Sequence, residues 1–552
     1  MAPLPCPATL PDFIHSFREA FGARPLILLG ERRITYAEAD ALSARLARGL
    51  LAQGLAKGAR VGVWMPNGPD WVVAWLAAAR IGCVVVPINT FYQPRELHHA
   101  LHHADLHALL MLPRLLGHDL LARLEACAPG LARAQAGALL LPELPQLRHV
   151  FVWGGCDRAW AKSDGDLLAA ADATPGTDAA FLAAIERTIA PADPMLILYS
   201  SGSTADPKGA IHSHGSVLRH SFQLNSFRDL RGDDRIFSPM PYFWVGGFVF
   251  TLLAAMHLGA FLICEEAFEP GETLRLLERE RATIVACWPH HAKAMLDHPS
   301  LRQRDLSSLR SGNLYAILPA EQRPKDPELR TNSLGMTETL GPHTIDRMDV
   351  DLPERLRGSF GRSVPGLEHK IVDPETSERL PPGASGEICV RGASLMQGLH
   401  KLEREDTFDR DGFYHTGDGG YLDEDGVLFF QARLGDLIKT AGANVSPREV
   451  ELRIEACPEV QSAFVVGLSD PVRGQNVAAA VVLGAGRALS ADELRRRLRE
   501  ELAAYKIPRH VLFAAKSELP FTDSGKIDKR RLAELLAERV RAEGADPAAV
   551  RS

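Results

Sequence analysis

Apolar runs of strand length alternate with runs of helix length through about the first 345 residues, and this rhythm limits the fold more than any other feature of the chain. ITYAEADALSARLARGLLAQG at 34–54 opens with Thr35 as an N-cap, has Glu38 three residues on in a capping-box pattern, and ends on Gly54. RVGVWMP at 60–66 reads as a short strand closed by proline, DWVVAWLAAARIG at 70–82 as a helix, and CVVVPIN at 83–89 as a buried strand. Strands buried on both faces and joined by helices require a mostly parallel sheet with helices over it. Residues 356–432 shift to glycine-rich β-type runs (HKIVD, GEICVRG, GVLFFQ), which predicts a β-rich subdomain. A smaller α/β unit follows: a helix near 447–457, strands at 463–468 and 476–483, a helix at 490–504, a strand at 510–514 and a last helix at 527–542. The predicted class is α/β: a large N-terminal domain over 1–434, of stacked sheets with helices plus the β-rich subdomain, and a small C-terminal domain over 435–552, joined by a short hinge at 433–436.

A chain of 552 residues buries a large core without disulfides or structural metal. Lys plus Arg is 62 against 69 Asp plus Glu, a net charge of −7, which argues against a general nucleic-acid binder. The eight cysteines are scattered, with no CxxC and no zinc-ligand spacing. Buried reduced thiols and a reducing, cytoplasmic compartment are expected. The N-terminus lacks the charged-then-apolar pattern of a signal peptide, and the VRS ending is not a peroxisomal signal. The stretch 244–264 carries no formal charge and is long enough for a membrane span. His257 inside it, and a His-Leu-Gly helix stop at 257–259, favour a buried helix followed by a strand, and no transmembrane segment is expected.

Residues 196–211, LILYSSGSTADPKGAI, run from a buried strand into a cluster of small and hydroxylated residues and then a lysine. Small residues let backbone N–H groups approach an anion, Ser and Thr add donors, and Lys208 adds a point charge. That combination suits a triphosphate. It is not a Walker loop, because Pro207 precedes the lysine and Gly209 follows it. The order of residues closely resembles the phosphate-binding signature of the adenylate-forming superfamily, which holds acyl-CoA synthetases, amino-acid adenylation domains and luciferases. The chain departs from it at Ala205, where the family has glycine, a change that stiffens the loop.

Further blocks match in order from about residue 30 to 532, and the resemblance implies their roles. Ser200, Ser201, Gly202, Ser203, Thr204 and Lys208 hold the ATP phosphates, with Thr204 also in the catalytic set. TNSLGMTETLG at 331–341 resembles the family's NxYGxTE block: Leu334, Gly335 and Met336 flank the adenylate, Thr337 contacts its phosphate, and Glu338 holds Mg²⁺ against ATP. The family's tyrosine is Leu334 here. RGSFGRSVPGLEHKIVD at 357–373 resembles a turn-rich scaffold block. Asp418 of YHTGDGG matches the residue that binds the ribose hydroxyls, and Arg433 reaches the ribose side of the nucleotide. Gly435 falls on the hinge; Lys439 and Gly442 fall on the segment that swings in for the second half-reaction, the glycine passing the pantetheine arm of coenzyme A. Lys526, in the P-x-T-x-S-G-K run at 520–526, bridges the substrate carboxylate and the α-phosphate. The implied chemistry is an AMP-forming acyl-CoA synthetase: ATP and Mg²⁺ activate a carboxylic acid as an acyl-adenylate, a mobile C-terminal domain rotates, and the CoA thiol takes the acyl group.

MPYFWVGGFVF at 240–250 occupies the position before the family's acid pocket. Amino-acid adenylation domains present an Asp there to pair the substrate ammonium; this chain has Trp244 and Val245, so amino acids are disfavoured. Trp244, Gly246, Gly247, Gly335, Met336 and Leu340 form the expected pocket, apolar or small throughout, which suits a medium- or long-chain fatty acid, with an aryl or alicyclic acid as the alternative. A fatty-acyl-AMP ligase that loads a carrier protein is a further alternative, and a catalytically silent adenylate-binding protein is disfavoured by the full set of charged residues. The sequence leaves the oligomeric state open, a homodimer included. His98 with His102 and His99 with His103 have metal-ligand spacing on a helix, but no carboxylate or cysteine cluster accompanies them, and a solvated helix face is expected. His212 and His214 follow the phosphate loop closely enough to line the site without being catalytic.

Overall fold

Thr35 caps the Tyr36–Ala52 helix as expected: its hydroxyl accepts from the Glu38 N–H while the Glu38 carboxylate accepts from the Thr35 N–H. The Pro69–Arg80 helix is buried along nearly its whole length and packs against strands of two different sheets. That explains why its sequence is apolar all round rather than striped. Its one deep charge, Arg80, is neutralised by Glu186 at 2.6 Å and Asp40 at 3.1 Å. The computed structural model describes residues 4–200, 207–287, 289–436, 438–440, 443–470, 473–502, 504–522 and 526–545.

One sheet of eight strands runs in the order Gly398–Leu399, Lys208–Ser213, Pro194–Ser200, Val84–Pro87, Arg60–Trp64, Ala108–Met111, His149–Val152 and Lys162–Ser163. It is parallel from Pro194–Ser200 onward, and its first two strands are antiparallel additions at the edge. A six-stranded sheet is parallel except for the Arg32–Thr35 strand. A third, antiparallel sheet joins Ser333–Met336, Gly341–Ile345 and Arg362–Ser363.

The uncharged 244–264 stretch is a buried helix and then a strand, as expected. Helical turns run from Val245 to Leu258, with a π-helical stretch over Phe248–Leu253, and end on Gly259 in the left-handed region at φ 71°. The Phe261–Cys264 strand follows inside the six-stranded sheet. Among the described residues no helix is long and apolar enough to cross a membrane.

The chain divides into two compact units, one of residues 1–368 with 390–414 and the other of 369–389 with 415–552. The expected boundary at 434/435 falls inside the second unit. Only part of the β-rich stretch, 369–389 and 415–432, belongs there: its Leu428–Arg433 strand packs on the Pro447–Glu455 helix, and the Ser446 hydroxyl donates to the Gln431 carbonyl. The second unit's other sheet pairs Gly474–Leu483 with Val460–Asp470, Ile438–Thr440 and His510–Phe513, flanked by helices Ala491–Glu501 and Lys529–Ala545. Every element expected after residue 435 is present, within a few residues of its expected limits.

Candidate active site

Ser201, Gly202, Ser203 and Thr204 of the phosphate loop lie outside the described residues, as does Gly442. The loop's two flanks are described. Ser200 ends one strand and faces Lys208, the exposed first residue of the next, across an antiparallel pair. Two histidines of the Pro94–His103 helix brace these flanks: His99 Nε2 donates to the Pro207 carbonyl at 3.1 Å, and His103 Nδ1 shares a 2.8 Å hydrogen bond with the Tyr199 hydroxyl. Burial, with His400 and His99 nearby, pushes the His103 pKa down to about 4. The solvated face expected for this helix therefore holds for His102 and not for His98, His99 or His103, which are half-buried. Neighbouring strands cover them, and helical spacing carries no record of that.

Leu334, Gly335 and Met336 lie on one strand of a tight hairpin whose turn is residues 337–340. A Cβ on Gly335 would sit 2.4 Å from the Gly341 carbonyl carbon, so the strands approach too closely for any other residue. Glu338 is buried, and its carbonyl accepts from the Met396 N–H at 2.8 Å. The Thr337 carbonyl accepts from Leu340 N–H at 3.1 Å and from His212 Nε2 at 2.8 Å. Leu340 is fully buried with φ 60°, a left-handed conformation that a non-glycine residue holds only under constraint.

The two halves of the expected acid pocket adjoin: a Cβ on Gly341 would stand 3.2 Å from Val245 Cγ1. Gly247 is obligatory, since a Cβ there would meet the Pro241 carbonyl oxygen at 2.2 Å, whereas Gly246 has only the Met240 sulfur at 3.4 Å. Trp244 is half-buried and meets Phe243 at 5.2 Å and the exposed Phe91 at 6.3 Å between ring centroids. Asn67, which the sequence reading missed, fixes this segment by donating to the Met240 carbonyl and accepting from the Tyr242 N–H, both at 2.8 Å. Its signal was a Pro-Asn-Gly-Pro turn, indistinguishable from an ordinary one.

In the second unit Asp418 and Arg433 are cross-strand partners, with Arg433 Nε 2.9 Å from the buried Asp418 carboxylate. The strand just before Asp418 is held by Glu387, another residue that sequence reasoning missed. One of its oxygens accepts from the Gly417 N–H at 3.0 Å and the other pairs with His415 Nδ1 at 2.8 Å. Lys439 is exposed on a short strand. Gly435 lies in a 3₁₀ turn with open space where a Cβ would be. Lys526 is exposed, and its carbonyl accepts from both the Thr522 N–H and the Thr522 hydroxyl, at 2.7 and 3.0 Å. Thr337, Glu338 and Lys208 thus belong to the first unit, and Asp418, Arg433, Lys439 and Lys526 to the second.

A mostly parallel sheet flanked by helices, a Thr-Glu turn and a separate smaller α/β unit are the parts of an adenylating enzyme. Residues 16–400 match the AMP-binding enzyme family and residues 449–526 the AMP-binding enzyme C-terminal domain. A feruloyl-CoA synthase of Amycolatopsis is 34% identical over 91% of this chain and 93% of its own, and the mitochondrial medium-chain acyl-CoA ligase ACSF2 of Bos taurus is 30% identical over 92% and 84%. ATP-bound MatB from Rhodopseudomonas palustris superposes with a TM-score of 0.77 at 26% identity, over 96% of this chain and 99% of MatB. The chain belongs to the AMP-binding enzyme family, in its acyl-CoA synthetase branch, and is an AMP-forming acid–CoA ligase with ATP, Mg²⁺ and coenzyme A as co-substrates.

Proposed function

We propose that the acid is a medium- or long-chain fatty acid, activated as its acyl-adenylate and passed to coenzyme A. The observation that carries this is the junction of Val245 with Gly341: the two segments meet through apolar and glycine residues, with Trp244 where an amino-acid-activating enzyme would need a carboxylate. An aryl acid is the second reading, favoured by the Phe91, Phe243 and Trp244 cluster beside that junction. Pyrophosphate release over a panel of acids separates the readings. Octanoate to palmitate should outpace cinnamates, and both should outpace acetate and amino acids; a preference for acetate would defeat the apolar-pocket assignment. Free CoA in the same assay should yield acyl-CoA, whereas AMP release without it would indicate a carrier-protein acceptor.

In this proposal Ser200 through Thr204 and Lys208 take the triphosphate, Thr337 the α-phosphate and Glu338 the Mg²⁺ that arrives with ATP. The buried Glu338 suits such a hard cation. Asp418, with its charge balanced by Arg433, accepts the ribose hydroxyls. Lys526 neutralises charge as the acid carboxylate attacks the α-phosphate, and Lys439 and Gly442 serve the thiol step after rotation about Gly435. Positioning and charge neutralisation provide most of the acceleration. A reducing, cytoplasmic location belongs to the same proposal, supported by eight cysteines with no disulfide among the described residues, six of them buried. A homodimer also remains part of it, to be read from the solution mass.

A further inference from the structure

His212 lies four residues beyond Lys208 on the same strand, so the two side chains share a face of it. The ring is fully buried, and its Nε2 stands 2.8 Å from the Thr337 carbonyl, 125 residues away in sequence. A carbonyl only accepts, so Nε2 carries the proton. The other ring nitrogen has no hydrogen-bond partner among the described residues, which leaves a neutral, single-tautomer imidazole. Burial holds its pKa down to about 4, so the ring stays neutral at physiological pH.

The Thr337 carbonyl has two lone pairs. One closes the 337–340 turn by accepting from the Leu340 N–H, and His212 takes the other. The same turn carries Leu340 in the left-handed region and Glu338 tied to Met396. The donor comes from the strand that begins at Lys208, so one rigid element presents the phosphate lysine and fixes the Thr-Glu turn.

We infer that His212 is a positioning residue for adenylation, setting the Thr337–Glu338 turn relative to the phosphate strand through its Nε2–H. This rests on the roles proposed above for Lys208, Thr337 and Glu338. The ring touches no reacting atom; it acts through the turn.

The test compares His212→Leu, which removes the donor at similar volume, with His212→Gln, whose amide nitrogen reaches the place of Nε2. ATP–pyrophosphate exchange is read against Mg²⁺ concentration. The leucine variant should lose about 10- to 100-fold in exchange rate, the scale of a small misplacement, and need more Mg²⁺ for half-saturation. The glutamine variant should recover most of the rate and the wild-type Mg²⁺ dependence. Wild-type exchange and Mg²⁺ response in the leucine variant would overturn the inference. Equal impairment in both variants at equal thermal stability would overturn it too, since the donor would then not matter. If the leucine variant fails to fold, His212→Asn, whose shorter amide stops short of the carbonyl, replaces it in the comparison. Absence of exchange in the wild-type chain would instead sink the proposed function itself, along with what rests on it.

Discussion

Lys526 and Glu338 carry opposite charges into the proposed reaction but are built differently. Glu338 is buried on a turn braced by His212 and Met396, while Lys526 is exposed, its carbonyl bonded by Thr522. A residue needed throughout can be fixed in place; one that must come and go between half-reactions is better left exposed. Lys526→Ala should therefore lower adenylation by about 10²- to 10³-fold, the cost of losing one electrostatic stabiliser. Thioester formation from a supplied acyl-adenylate should change far less. Single-turnover assays of the two half-reactions measure this, and equal losses would contradict separate roles. Asp418 and Arg433 were legible as residues because TGD and GR-type blocks are short. Their 2.9 Å pairing was not, since it depends on the register of two strands.

At the scale of elements, glycine positions separate what is required from what is merely permitted. The helical turn after Trp244 is Val245 followed by two glycines, and only the second glycine is pressed against backbone, its would-be Cβ 2.2 Å from the Pro241 oxygen. Gly247→Ala should destabilise the fold by about 1–3 kcal/mol through overpacking. Gly246→Ala should stay within about 0.5 kcal/mol. Thermal melts of the two variants side by side check the contrast, and indistinguishable melts would mean the segment adjusts freely. Helices with local signals were read correctly: the Thr35–Glu38 capping box placed one start to the residue. The π-helical stretch over Phe248–Leu253 left no local signal, because it depends on how that apolar helix packs.

For the whole molecule, buried neutral histidines set the response to acid. His212 and His214 are held down to about 4, and His220 and His257 to about 3, chiefly by burial. Their ordinary value is 6.5, so in the unfolded chain they take up protons that the folded chain refuses. The folded pKa is depressed, so their contribution is fully present above pH 6.5 and is lost as the pH falls through 4 toward 3. Each unit of depression is worth about 1.4 kcal/mol per group. The midpoint of thermal unfolding should thus hold steady from pH 7.5 to 6.5 and fall steadily down to pH 4. His257→Asn should flatten part of that slope. A constant midpoint between pH 6.5 and 4.5 would show that these rings are not excluded from protonation.

Patterns confined to a few neighbouring residues told the fold class, the order of the elements and the family, because capping, alternation and the phosphate-loop order are local properties of the chain. The compact units divide elsewhere than the expected boundary at 434/435, because strand packing joins residues regardless of sequence distance. His99 bonding Pro207, His103 bonding Tyr199, Asn67 fixing Met240 and His212 bonding Thr337 all join positions roughly 100 residues or more apart. Only folding brings such groups within hydrogen-bond reach, and nothing in either residue's own neighbourhood encodes the distance to the other.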